Sequence, residues 1–144
     1  MSDSGAITSR STLTFAGARR VLDAALAEAQ RLGIAVCVDV VDDAGWPILT
    51  ARMDGAPRLS ARIAADKAFS VASFNGVPTD RWWGMIEHDP ALVHGITKTE
   101  RLAIFGGGVP VIVDGAIVGA VGVSGGSAEQ DVEVATAGAA ALAV

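Results

Sequence analysis

The 144-residue chain has one cysteine, no tyrosine, two histidines and five prolines, and each shortage excludes something. A lone Cys37 cannot form an internal disulfide, so nothing points to an oxidising compartment. His88 and His94 are six apart with a proline between them, so they do not share a helical face as zinc ligands in an HExxH motif would, and no metal site is expected. No apolar run approaches the roughly 20 residues needed to span a bilayer, although 51% of the residues are hydrophobic. The net charge is -5, with lysines and arginines scattered singly. That leaves no basic stripe for a phosphate backbone and argues against nucleic acid as a partner. The opening MSDSGAITSR lacks a basic end, an apolar core and a small-residue cleavage site. It is expected to be a disordered tail over residues 1–12 of a cytoplasmic protein.

Residues 13–144 are expected to form a single domain, large enough to bury roughly 70% of its unfolded surface. So large an apolar fraction on so small a domain points to a homo-oligomer. Phe15, Ala18, Leu22, Ala25, Leu26, Ala29 and Leu32 recur at helical spacing, with Gly33 placed as a C-cap. IAVCVDVV and PILTARM flank the turn residues DDAGW and read as a β-hairpin. A second helix is expected from Leu59 to Phe74, and a short one from Pro78 and Thr79 through Ile86 that Asp89 and Pro90 end or interrupt. Three more strands are expected in RLAIF, VPVIV and AIVGAVGV, the last two joined by Asp114 and Gly115. Ser127 with Gln130 forms a capping-box pattern ahead of Val132, Ala135, Ala139 and Leu142. The sum is an α+β fold, profilin-like or PAS-like, with a five-stranded antiparallel sheet and helices packed on it.

Glycine is concentrated late: positions 106, 107, 108, 115, 119, 122, 125 and 126 are all glycine. A nucleotide loop does not explain them. There is no GxxxxGK[ST], and a GxGxxG frame starting at Gly106 ends on Val111. Gly119, Gly122 and Gly125 recur every third residue, so along a strand they alternate faces. They permit close approach of a flat ligand, a neighbouring subunit or a helix. The turn Ser124-Gly125-Gly126 precedes a helix and can offer N–H groups to a carboxylate, though Glu129 and Asp131 already place negative charge there.

VVDDAGWPI, ARMDGAP, ADKAFSVASF, GVPT, FGGGVPVIVDGAIVGAVGVSGG and the EQD of the last helix, in this order, resemble the GlcG/HbpS family of small haem-associated proteins from about Val36 to Leu142. The resemblance implies a profilin-like fold and assembly into dimers or rings. It also implies haem binding or haem-linked roles in some members and small-molecule catabolism around others. WWGMIEHDPALVHGITKTERLAIF lies between the matching pieces and fits none of them.

Haem is therefore a candidate ligand, with His88 or His94 as axial ligand and Met53, Met85 or Cys37 as weaker alternatives. Trp82 and Trp83 point about 100° apart on a helix, so one is free to cover a planar ligand or an interface. Gly107, Gly108, Ser124, Gly125 and Gly126 complete the expected ligand-binding set. Asp39 interrupts the valines of its strand, shares a face with Cys37 and Ala35, and requires a partner if buried. Asp39, Arg52, Asp54 and Lys67 are candidates to orient an acidic ligand or, in the alternative reading, to act on one. That alternative is a cofactor-independent isomerase, lyase or hydrolase in which Arg52 or Lys67 holds the carboxylate and Asp39 or a histidine moves the proton. A bare ion-pair network, and a purely structural subunit whose glycines only permit packing, are the other readings of the same residues.

Overall fold

A computed structural model describes residues 5–143. The elements run α1 (Phe15–Leu32), β1 (Cys37–Asp42), β2 (Pro47–Arg52), α2 (Ser60–Ser73), a 3-10 turn (Thr79–Arg81) leading into α3 (Trp82–Ile86), α4 (Pro90–Ile96), β3 (Gly108–Val113), β4 (Ala116–Ser124) and α5 (Ala128–Ala140). The local signals act as physical chemistry requires. The Thr14 hydroxyl accepts from Gly17 N at the start of α1, and Gly33, in the left-handed conformation, ends it. Ser127 and Gln130 close a reciprocal capping box on α5. Asp114 and Gly115 both take positive φ, as a tight two-residue hairpin turn demands.

The sheet is wholly antiparallel in the order β2-β1-β4-β3. It has four strands, not five. RLAIF is not a strand, for a physical reason: Arg101 sits at φ 63, which breaks an extended chain. Ala103 N gives its hydrogen bond to the Ser70 hydroxyl of α2 rather than to a neighbouring strand. The segment crosses the end of α2 as a loop.

Helices cover both faces of the sheet. Val36, Val38 and Val40 turn toward α1 and α5, packing with Ala18, Val21, Ala25, Val134 and Ala135. Cys37 and Val41 turn the other way, against Ala64, Ala68 and Val71 of α2. Burial of each such valine contributes about 1.5–3 kcal/mol. α2 lies directly on β4, because a Cβ at Gly122 would overlap the Ala64 carbonyl oxygen and stand 2.6 Å from Ala68 N. Of the three spaced glycines, Gly122 thus admits α2. Gly119 faces Leu13, and Gly125 meets the Ala35 carbonyl. No described helix is long and apolar enough to cross a membrane. Residues 5–12 carry no helix or strand, and Thr12 Oγ1 accepts from Asp43 N at 3.4 Å; residues 1–4 of the expected tail lie outside the described residues.

Candidate functional site

The second half of α2 and the 74–102 arm enclose a cleft of about 210 Å3, lined by Phe69, Ser70, Phe74, Trp82, Ile96 and Arg101 among others. Its walls are almost entirely apolar. Of the adjacent tryptophans, Trp82 turns inward and is 3% exposed, while Trp83 turns out and is 51% exposed. Trp82 packs on Phe74 with ring centroids 4.6 Å apart, and its indole Nε1 has no partner among the described residues. At the rim the Arg101 guanidinium lies 4.0 Å from the Phe69 ring centroid and donates to Asp66 Oδ1 at 3.0 Å. Ser70 Oγ fixes the rim. It lies 2.9 Å from Arg101 O and accepts from Ala103 N at 2.8 Å. Beyond Arg101 a second, charged hollow of about 490 Å3 is bounded by Arg62, Ala65, Asp66, Glu100 and Arg101.

A separate buried centre lies between α2 and α5. Lys67, 1% exposed, donates to Val123 O at 2.8 Å and to Asp131 Oδ2 at 3.2 Å, with the Phe105 ring 4.9 Å away. Asp131 Oδ1 accepts from Gly126 N at 2.9 Å. Burial pushes both groups toward their neutral forms, Lys67 down and Asp131 up, and their mutual attraction opposes it. The chain's own carboxylate thus fills the Gly125-Gly126 turn. Gly107 is closed off in the same way, since a Cβ there would stand 2.7 Å from Lys67 Nζ, and one at Gly108 would stand 2.7 Å from Lys67 O. Ser124 is buried at the end of β4 opposite Cys37.

Asp39 is 3% exposed on the α2 face, between Thr50 and Gly122, and its Oδ1 has no partner among the described residues. Burial pushes its carboxyl up to about 6, against a weaker opposing pull from Arg101. The structure does not assemble the four charged residues singled out in the sequence. Lys67 pairs with Asp131, not with Asp39. Arg52 and Asp54 border a different hollow of about 390 Å3 at the end of β2. The His88 side chain is 92% exposed beside Glu87, and His94 is exposed on α4, two residues before the cleft-lining Ile96. Met85 is exposed, and Met53 Sδ accepts from Val36 N at 3.4 Å. Burial pushes the Cys37 thiol up. Among the described residues no cluster of three or more metal-ligating side chains occurs.

Sequence reasoning missed Arg101, Phe69 and Phe74, because a strand over 101–105 would have carried Arg101 away from α2. Asp131 was read only as a charge in the first turn of a helix. Its carboxylate instead bonds Gly126 N, ahead of the helix, and Lys67.

The fold and site define a small α+β domain with an apolar, aromatic-walled cleft and an arginine at its rim. Residues 13–140 match the family model described as "Haem degrading protein HbpS-like", and the chain belongs to that family. It is 36% identical to the protein GlcG of Escherichia coli over 107 residues, 74% of this chain and 77% of GlcG. Its fold superimposes on a double mutant of HbpS from Streptomyces reticuli with a TM-score of 0.84 at 33% identity, covering 99% of this chain and 94% of that one. It also superimposes on the PduOC chain of a PduOC–haem complex with a TM-score of 0.82 at 32% identity, covering 90% and 94%. The resemblance to the GlcG/HbpS family is thereby established.

Proposed function

We propose that the protein binds haem or another flat, acidic small molecule in the Trp82 cleft. The observation that carries this reading is an apolar slot walled by Phe69, Phe74 and Trp82 and rimmed by the Arg101 guanidinium. Flat apolar ligands gain from aromatic walls, and a guanidinium offers paired donors to a carboxylate. The haem complex of the similar PduOC supports the same ligand class. These residues fit the ring and its acidic edge. At about 210 Å3 the cleft falls below the roughly 300–1,000 Å3 of sites that enclose a whole drug-sized ligand, so it grips a haem by one edge. Iron ligation would fall to His94 or His88, both of which are exposed. Trp46, Leu59 and Trp83, each more than half exposed, support a homo-oligomer in which a second copy covers apolar surface.

An absorption titration with haemin tests the reading. The expected result is a saturable Soret shift that weakens at least about 10-fold, or roughly 1.4 kcal/mol, in Thr99→Trp, which fills the cleft from an exposed position. No Soret shift, or a Thr99→Trp protein that binds like the wild type, overturns it. A Soret maximum unmoved in the His88→Ala/His94→Ala double variant removes histidine ligation.

A further inference from the structure

We infer that Arg101 is the residue that reads the ligand's carboxylate, so that the cleft selects flat molecules carrying an anionic edge. The inference rests on the cleft being the binding site and assigns the role to a residue outside the charged hairpin of Arg52 and Asp54. Three described non-glycine residues hold positive φ: Asn75, Asp114 and Arg101. All three sit in turns, and Asn and Asp tolerate the left-handed region because their short side chains bond the local backbone. Arginine has no such reason. A strained backbone at a residue of this kind is kept where the surroundings over-determine it.

The surroundings do so here. Arg101 O lies 2.9 Å from Ser70 Oγ, Leu102 N donates to Thr99 O at 3.3 Å, and Ala103 N is held by Ser70 Oγ. The φ of 63 folds the side chain back over Phe69 instead of letting it run along an extended segment. There the guanidinium is the one cation among the described residues that lines both the apolar cleft and the charged hollow; Glu100, which borders both, carries the opposite sign. Nε is committed to Asp66 and one Nη2 proton to Ala65 O at 3.4 Å. Among the described residues the remaining donors of the five-donor fork meet no acceptor. Asp66 and Glu100 balance the charges of Arg101 and Arg62 around the charged hollow. Selection therefore comes from the fixed fork, stacked on Phe69, rather than from a net positive field. Arg52 has no comparable setting, because its hollow is bounded by Met53, Asp54, Gly55, Ala56 and Arg58 without an aromatic ring.

The test compares haemin with haemin dimethyl ester, whose carboxylates are blocked, on the wild type, Arg101→Lys and Arg101→Gly. Glycine removes the guanidinium and accepts the left-handed backbone, so this variant keeps its fold. Loss of a charge-assisted contact predicts that the wild type binds haemin about 10- to 100-fold tighter than the ester. Arg101→Gly should bind both at the ester's level, and Arg101→Lys should fall between. Equal wild-type affinity for the two ligands, or an Arg101→Gly protein that still prefers haemin, overturns the role of Arg101 while leaving haem binding in place. A wild type that binds neither overturns the cleft reading, and this inference falls with it.

Discussion

Replacing Asp39 by asparagine should stabilise the protein at neutral pH and not at acid pH. Asp39 is 3% exposed, its Oδ1 lacks a partner among the described residues, and burial raises its carboxyl from 3.8 to about 6. The folded state therefore holds this proton more tightly than the unfolded chain does. Between the two values the folded protein binds more protons, so this residue's contribution falls as pH rises through that window, and the full penalty stands above the folded value. A shift from 3.8 to about 6, at about 1.4 kcal/mol per pK unit, comes to roughly 3 kcal/mol. Asparagine removes the charge but brings an amide N–H2 into the same dry position, which costs about 1 kcal/mol at every pH. Urea denaturation of wild type and Asp39→Asn at pH 4, 5, 6 and 7.5 measures the difference. The variant should gain relative to wild type by roughly 2–2.5 kcal/mol between pH 4 and pH 7.5, since pH 4 already lies just above the unfolded value of 3.8. Burial also raises Asp131, but that term is common to both proteins and cancels. A difference that is flat with pH, or a variant that loses most at pH 7.5, would refute the assignment of a dry, unpartnered carboxylate.

Lys67→Met should cost about 3–5 kcal/mol at neutral pH, because it strands the Asp131 carboxylate in a dry site. Burial raises the Asp131 carboxyl, so the loss should shrink as pH falls and Asp131 takes up a proton, which the same urea series would show. Gly122→Ala should abolish folding or cost several kcal/mol, since its Cβ would overlap the Ala64 carbonyl oxygen. Gly84→Ala, with nothing within 4 Å of its Cβ, should be neutral or gain up to about 1 kcal/mol in helix α3. Circular dichroism melts of the pair separate the two glycines.

Much of the framework was legible because it depends on neighbours in the chain. Gly33, Ser127 with Gln130, and Asp114-Gly115 act within a few residues of themselves, and all three mark real boundaries. The alternation along β1 also held: three valines face α1 and α5, and Cys37 and Asp39 face α2. The spaced glycines were open to several occupants in sequence, and α2, Leu13 and Ala35 turn out to be the neighbours. The fifth strand failed because RLAIF has strand composition, whereas its backbone partner is a serine hydroxyl some thirty residues earlier. The candidate site was legible only in part. Helical geometry separated Trp82 from Trp83 without saying which one meets the cleft, and Phe69 of α2 and Phe74 at its C-cap meet Arg101 from a distant segment in a way that no local pattern encodes.

Pattern along the chain was enough to establish α1, α2, α3 and α5 but not α4, together with the two hairpins, the absence of a disulfide and the capping of α5, since each follows from backbone stereochemistry and side-chain spacing over a few residues. Which charges meet was decided by tertiary structure alone. Lys67 finds Asp131 rather than Asp39, and Arg101 stacks over Phe69. Electrostatic pairing depends on distance in space and on how dry the site is, and both are set only when α2 settles on the glycines of β4.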